Sequence, residues 1–194
     1  MLACVRAENS ASGKLRLPSS TQSTGQPSGG GGRPGRPSPL VRPAPGNVVV
    51  AMEVLVDSVA VAAVELGGAI AAIERQQRPR AELPAAPTIA NLTAMAGELL
   101  AGLPPATRVH AVGVTVAGVV RRDGTVMVAP NIGWQDVALA AQLTEALDLG
   151  APVVVGNDGD LGALGESRRG AAAGLADVVY VSGEVGVGGG IIAG

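Results

Sequence analysis

The sequence contains almost no aromatic residues: there is no Phe, and the 194 residues include one Trp and one Tyr. An aromatic core is therefore excluded, although 47% of the residues are hydrophobic and the mean hydropathy is +0.35. Valine, alanine, leucine and isoleucine must fill the interior, and each buries less area than an aromatic ring, at roughly 25 cal/mol per Å². The composition predicts a tightly layered core of small aliphatic side chains.

Cysteine and long apolar runs are equally scarce. Cys4 is the only cysteine, which excludes an intramolecular disulfide or a zinc cluster built from cysteines. No uninterrupted apolar run reaches the ~18 residues needed to span a membrane, and no apolar segment near the N-terminus has the character of a secretory signal. These absences predict a cytoplasmic protein that makes no membrane contact.

Charge is distributed unevenly along the chain. Residues 1–46 carry six Lys/Arg and one acidic residue, Glu8, whereas the remainder carries eight basic and fifteen acidic side chains. Residues 18–46 are also rich in Pro, Gly and Ser, so they have little to bury and much conformational entropy to lose on ordering. We predict that 1–46 is a disordered, solvated leader. Contact of this basic segment with nucleic acid is the alternative, although it lacks aromatic residues and any dense Lys/Arg cluster.

The patterning after residue 46 predicts a mixed α/β domain. Three Val- and Ala-rich segments joined by tight turns, the second at Gly67-Gly68, indicate an antiparallel meander. The complete predicted order, which includes these three strands, is β-β-β-α-β-β-α-β-α-β-β. The second helix is predicted to be capped by Asp136 and ended by Gly150. The predicted strands are 48–55, 58–66, 69–75, 109–116, 119–127 (with a hairpin turn inside it), 152–155, 178–182 and 187–193, and the predicted helices are 88–100, 137–147 and 158–168.

A polar pair follows one of the buried strands. Val153–Val155 leads through Gly156 to Asn157 and Asp158, where a helix is predicted to begin. In open α/β sheets, ligands bind just beyond the carboxyl ends of the strands. Asn157 offers a donor and an acceptor to a sugar hydroxyl, and the Asp158 carboxylate can accept a hydroxyl proton. The alternative, which the spacing alone leaves equally open, is that Asp158 merely caps the helix.

Three other features have two interpretations each. The glycine-rich run Gly186–Gly190 could point backbone N–H groups at a phosphate, but a bare run of glycines more often makes a tight hairpin. Trp134, at the end of the segment Ala129–Trp134, could form the wall of a sugar pocket, but burial in the core is the more common role. His110 is the only histidine and lies inside a predicted strand, which favours a structural role over metal ligation.

Together these segments resemble the ROK family (repressors, open reading frames, kinases) over residues 48–194. The resemblance implies the ribonuclease H-like half-domain of the actin-like ATPase (sugar kinase) fold, an α/β architecture, with the start of the second lobe. It implies that Gly118, Asn157 and Asp158 bind the sugar and that, in a kinase, Asp158 is the catalytic base for the sugar 6-hydroxyl. The segments whose order and spacing carry the resemblance are Gly113–Gly118, Ala129–Trp134, Asn157-Asp158 and Gly186–Ile192.

The resemblance to the kinases of the family is incomplete at both phosphate loops. The family's kinases open with Asp-x-Gly-Gly-Thr, whereas Glu53–Ser58 (EVLVDS) places a Leu and a Val where the glycines stand. In the second loop, Glu184-Val185 replaces a Gly-Thr pair, which removes a hydroxyl and places a carboxylate beside a would-be polyphosphate. The glycines that remain, Gly186, Gly188 and Gly189, are interpreted as a remnant of the nucleotide loop. The sequences of both loops, at Glu53–Ser58 and around Glu184-Val185, are similar to those of the repressor branch of the family. In that branch the kinase body acts as a sugar sensor.

The function predicted from these departures is that of a sugar-sensing domain of a ROK transcriptional regulator, present as a fragment without its DNA-binding domain. Its partner is a monosaccharide or sugar derivative, and DNA contact would require a winged-helix domain that residues 1–46 cannot supply. No cofactor is expected in this form. The alternatives are an ATP-dependent hexose kinase, which would use ATP and Mg²⁺, and a non-functional fragment.

The predicted domain organisation is a leader at 1–46, the first actin-like lobe at 47–176, and the first hairpin of a truncated second lobe at 177–194. The resemblance places the zinc motif of the family outside this chain, so no metal site is expected here, and it implies homo-oligomers. The last strands are expected to expose an apolar face, which would make the chain poorly soluble by itself.

Overall fold

The computed structural model describes residues 44–79, 83–183 and 186–194. Residues 1–43 of the predicted leader, which include Cys4, therefore lie outside the described residues, and so does the Glu184-Val185 pair. The strands are β1 Asn47–Val54, β2 Ser58–Glu65, β3 Ile70–Gln77, β4 Arg108–Val116, β5 Val119–Val120, β6 Val126–Ala129, β7 Trp134–Val137, β8 Val153–Asn157, β9 Val178–Gly183 and β10 Val187–Ile192. The helices are α1 Ala85–Ala101, α2 Leu139–Leu147 and α3 Asp158–Arg169, with a short 3₁₀ helix at Pro130–Ile132.

A five-stranded sheet in the order β3-β2-β1-β4-β8 forms the centre of the fold. The strands β1, β2 and β3 are antiparallel neighbours, as the predicted meander requires, whereas β4 and β8 run parallel to β1. Alternate residues of β1 are buried and half-buried, which is the period of two expected of a strand with one face on a core. The carboxyl ends of β1, β4 and β8 therefore meet at one edge of the sheet.

Aliphatic side chains from α1 and α2 cover one face of this sheet. Met52 of β1, Leu92 of α1, and Leu139 and Leu143 of α2 are all fully buried in the same cluster. On the opposite face, Leu161 of α3 packs closely on Gly156 of β8. The hairpin formed by β9 and β10 is a separate two-stranded sheet that packs on α3.

The sequence-based prediction was wrong at the start of α2. Asp136 does not cap this helix, because Trp134–Val137 pairs with β6 as the strand β7, which was not predicted. The carboxylate of Asp136 instead lies 3.5 Å from the guanidinium of Arg121. Ala138 occupies the cap position without a side-chain hydrogen bond, and the backbone N–H of Ala140 donates to Gly124 O at 3.3 Å. The helix ends with Asp148, rather than Gly150, in the cap position and the left-handed conformation.

Helix α1 begins earlier than its predicted start at Thr88. It includes Pro87 in its first turn, where a missing N–H costs no intrahelical hydrogen bond. Pro is compatible with the start of a helix, so the helix can begin before this residue. The predicted hairpin within 119–127 is present as β5 and β6. In its turn the N–H of Thr125 donates to Asp123 Oδ1 at 2.9 Å and lowers the pKa of that exposed carboxyl.

Candidate functional site

The candidate site lies at the sheet edge where three parallel strands end side by side. Val54 of β1 pairs with Val116 of β4, and Val116 pairs with Asn157 of β8. The turn after β1, the residues after β4 and the start of α3 are therefore neighbours in space. Ligands of open α/β sheets bind in this position because successive loops diverge there.

Asn157 joins two of these neighbours through its side-chain amide. Its Nδ2 donates to Gly118 O at 2.9 Å, while its Oδ1 accepts from the backbone N–H groups of Gly159 at 2.8 Å and Asp160 at 3.1 Å. Asn157 is thus the N-cap of α3 and satisfies two N–H groups that have no partner within the helix. The alternative that Asp158 is the cap was wrong, because Asp158 is the first residue of the helix.

Asp158 presents a carboxylate at the N-terminus of α3, where the helix dipole stabilises negative charge. Its Oδ1 accepts from the N–H of Gly159 at 2.9 Å. Its Oδ2 points towards the hairpin, 4.0 Å from the position that a Cβ would take at Gly188. One carboxylate oxygen is therefore held by the helix while the other faces the glycine-rich strand.

The space around Gly118 is too small for any side chain at this position. A Cβ at this position would lie 2.7 Å from Val128 O and equally close to the Ala129 methyl. The carbonyl of Gly118 faces the amide of Asn157, so the structure brings Gly118, Asn157 and Asp158 into one cluster.

The glycine-rich segment forms a hairpin strand, as its simpler interpretation predicted. Gly188 pairs with Ser182 and Gly189 pairs with Val181 across β9 and β10. Gly189 lies against α3, because a Cβ built on Gly159 would be 2.7 Å from its carbonyl carbon. Gly186 directly precedes β10, and a Cβ built on it would lie 4.0 Å from Asn131 Nδ2.

The turn between β1 and β2 is tight and carries bulky side chains. Leu55 N donates to Ser58 O at 2.9 Å, and Val56 packs partly buried against the core. At the end of β1, Glu53 Oε2 accepts from Arg75 at 2.7 Å, and Arg75 also donates to Ser58 Oγ at 3.1 Å. Arg75 reaches Glu53 across Ala60, the residue between them in the cross-strand row, because Ala60 carries only a methyl group.

Trp134 and His110 take structural positions. Trp134 is 3% exposed and donates its ring N–H to Leu83 O, so it belongs to the core and forms no pocket wall. His110 is exposed on β4, with Nε2 2.8 Å from Asn47 Oδ1. Among residues 44–79, 83–183 and 186–194, no three His, Cys, Asp or Glu side chains are grouped so as to hold a metal ion.

The sequence analysis assigned no functional role to Arg75 or to Ser182. Arg75 meets Glu53 only because the meander places β3 two strands from β1, and Ser182 meets the site only through its pairing with Gly188. The alternation of β9, with Ser182 two residues after Tyr180, was the available signal for Ser182. None of the helices in the described part of the chain combines the length and apolar character required to cross a membrane.

The model of the ROK family matches residues 49–194. Among curated relatives, a xylose repressor from Caldicellulosiruptor bescii is 38% identical over 82 residues, covering 42% of this chain and 20% of the relative. A glucokinase from Halalkalibacterium halodurans is 40% identical over 83 residues, covering 42% of this chain and 24% of the relative. The matched segment thus spans about a quarter or less of the length of these relatives.

Two solved structures resemble the fold over three quarters of the chain. A ROK family glucokinase from Streptomyces griseus, in complex with glucose and AMPPNP, aligns with a TM-score of 0.62 and 31% identity, covering 76% of this chain and 45% of that one. A ROK family transcriptional regulator, a homolog of the E. coli MLC protein, aligns with a TM-score of 0.67 and 26% identity, covering 77% and 37%. The predicted actin-like ATPase fold is confirmed, and the chain belongs to the ROK family.

Proposed function

We propose that this chain is the sugar-binding part of a ROK transcriptional regulator, and that it recognises a monosaccharide through Gly118, Asn157 and Asp158 without transferring a phosphoryl group to it. The family contains both repressors and glucokinases, and its relatives include xylose repressors and a glucose-bound kinase. The choice between regulator and kinase therefore rests on the chemistry of this chain's own residues.

The observation that carries the proposal is the β1–β2 turn. A polyphosphate needs a loop whose backbone N–H groups can approach it closely, which is why glycines line phosphate loops. Here Leu55 and Val56 stand at that position, Val56 is packed on the core, and the turn is closed by the hydrogen bond from Leu55 N to Ser58 O at 2.9 Å.

The Asn157-Asp158 pair keeps the features that a sugar requires. The Asp158 carboxylate accepts hydrogen bonds only, so it suits the hydroxyl hydrogens of a sugar. Asn157 is oriented by its two bonds to the helix N-terminus and by its bond to Gly118. Among the described residues the second hydrogen of its amide has no acceptor, so it can donate to a ligand. A rigid acceptor beside an oriented amide can hydrogen-bond to sugar hydroxyls without a nucleotide.

The proposal is tested by calorimetric titration of the complete protein with D-xylose, D-glucose and N-acetylated hexoses. We expect one of these sugars to bind, and Asp158→Asn to weaken binding about tenfold or more, because a charged hydrogen bond is lost. Asp160→Asn is the matched control, since it removes the same charge from the exposed side of the same helical turn. Equal losses in both variants would count against a specific role for Asp158.

The second candidate function is an ATP-dependent hexose kinase that uses ATP and Mg²⁺. It is favoured by one observation, which is that Asp158 keeps a carboxylate oxygen facing the glycine hairpin, where a catalytic base for a sugar hydroxyl would be needed. A coupled assay of ADP release with the same sugars separates the two functions. Turnover that disappears in Asp158→Asn would overturn the regulator proposal and establish the kinase.

Two partners of the complete protein are part of the same proposal. DNA would be bound by a winged-helix domain outside these residues, and the protein would act as a homo-oligomer in the cytoplasm. The corresponding measurement is whether the sugar that the titration identifies changes the binding of the complete protein to DNA. A protein that binds the sugar but never DNA would contradict the regulator assignment while leaving sugar recognition intact.

A further inference from the structure

The β9 strand brings a second polar side chain to the Asp158 carboxylate. One face of β9 lies along α3, where the Tyr180 ring packs on Gly162, with Cε1 2.5 Å from a Cβ built at that glycine. Ser182 follows two residues later on the same face, at the end nearest the N-terminus of α3. It pairs directly with Gly188 of β10.

Ser182 and Asp158 both lie beside the space that a side chain at Gly188 would fill. A Cβ built on Gly188 would be 3.1 Å from Ser182 Oγ and 4.0 Å from Asp158 Oδ2. The absence of a side chain at Gly188 therefore leaves this space open next to a hydroxyl and a carboxylate oxygen. The φ angle of Gly188 lies outside the left-handed region, so backbone conformation does not explain why glycine stands there.

Both polar atoms retain hydrogen-bonding capacity. Asp158 Oδ1 accepts from Gly159 N, whereas Asp158 Oδ2 and Ser182 Oγ have no hydrogen-bond partner in the part of the chain that the structure describes. Both side chains are half-buried, so water satisfies them less freely than at the surface. A carboxylate can only accept, while a serine hydroxyl can also donate.

We propose that Ser182 is a further sugar-binding residue, which holds the same ligand hydroxyl as Asp158. A sugar hydroxyl has one hydrogen and two lone pairs. It donates the hydrogen to Asp158 Oδ2 and accepts a hydrogen bond from Ser182 Oγ–H, with its oxygen above Gly188. This inference rests on the proposed sugar-binding function and adds a residue that determines which hydroxyl the site accepts.

The inference is tested by titrating the complete protein and its Ser182→Ala variant with D-xylose, D-glucose and the monodeoxy analogues of whichever sugar binds. Loss of one neutral hydrogen bond should weaken the binding of that sugar about three- to tenfold. For the single analogue that lacks the hydroxyl held by Ser182, the wild type and Ser182→Ala should bind with equal affinity. Ser182→Thr keeps the hydroxyl on a strand-compatible side chain and should retain an affinity within about twofold of the wild type.

Two further variants separate this role from a structural one. Ser167→Ala removes a hydroxyl near the other end of α3 and should leave the affinity unchanged. Gly188→Ala places a methyl group in the space itself and should weaken sugar binding more than Ser182→Ala does. Thermal unfolding of each variant shows whether the fold is kept.

The outcomes distinguish failure of the inference from failure of the proposed function. Wild-type affinity in Ser182→Ala, together with lost binding in Asp158→Asn, would overturn the role of Ser182 and leave sugar recognition standing. If Ser182→Ala weakened the binding of every deoxy analogue by the same factor, the idea that Ser182 and Asp158 hold one ligand hydroxyl would likewise be rejected. A wild-type protein that binds no sugar would overturn both.

Discussion

The first turn of α3 meets the β9–β10 hairpin through glycines on both sides. A Cβ on Gly159 would lie 2.7 Å from the carbonyl carbon and 2.9 Å from the nitrogen of Gly189. A Cβ on Gly190 would lie 2.8 Å from the carbonyl carbon of Gly159 and from the Ala163 methyl. Backbone packs on backbone here, so a single methyl group at either position cannot be absorbed by rotation of a side chain.

Gly159→Ala should destabilise the protein by about 1–3 kcal/mol, because the added methyl forces α3 away from the hairpin. Gly97→Ala is the matched control: it lies in the interior of α1 with no atom within 4 Å of a built Cβ. At that position alanine should stabilise by about 0.5–1 kcal/mol through its better helix propensity. Urea unfolding of both variants measures the difference, and two shifts of the same sign would contradict this account.

Asn157 links the start of helix α3 to the candidate site. The same amide that orients Gly118 also caps α3, so one residue fixes both the beginning of the helix and the position of the Asp158 carboxylate. The helix itself has a weak apolar pattern, with Gly159, Gly162 and Ala163 as its buried residues. Its position therefore depends on the cap and on close packing more than on large side chains.

Asn157→Ala should lower the free energy of unfolding by about 1–2 kcal/mol, because two N–H groups lose their acceptor. Asn157→Ser keeps an acceptor for the helix but is too short to reach Gly118 O, so it should recover most of the cap contribution. Thermal and urea unfolding give the two values. A serine variant no more stable than the alanine variant would show that the cap is not the source of the effect.

The strands of the central sheet could be predicted because their apolar residues follow simple patterns and tight turns separate them. Strand β7 could not, since Trp134–Val137 mixes polar and apolar residues and is extended only because β6 lies beside it. Pairing of this kind depends on tertiary contacts, which local propensity does not encode. The error at Asp136 followed directly, because a strand already occupied the position of the expected cap.

The site was partly predictable for a similar reason. Asn157 and Asp158 could be identified because they follow a buried strand directly in the sequence. The contacts of Arg75 with Glu53 and of Ser182 with the Gly188 space depend on register across strands that are far apart in the chain or joined by a turn. A one-residue change of register would move either side chain to the other face of its sheet. Sequence alone therefore identifies the pair but not its surroundings.

At the scale of the whole molecule, the β9–β10 hairpin has one covered face and one open face. The covered face lies on α3 and includes Val178, which is 8% exposed. The open face carries four aliphatic side chains in adjacent cross-strand positions, with Val179 opposite Ile191. Their exposed fractions are 74% for Val179, 67% for Val181, 85% for Val187 and 76% for Ile191. Contiguous apolar surface of this kind promotes association.

The 194-residue chain by itself should therefore self-associate through this face, and the double variant Val181→Thr with Ile191→Thr should associate less. Threonine keeps the branched shape that suits a strand, so thermal stability should change little while the apolar surface becomes polar. Val178→Thr is the control on the covered face. It should instead destabilise the fold by about 1–3 kcal/mol, because a hydroxyl is buried there. Sedimentation velocity over a concentration series measures the association. A wild-type chain that sediments as a monomer at all concentrations and melts in one sharp transition would show that the open face has no such effect, because the valines and the isoleucine would then be tolerated in water without a partner.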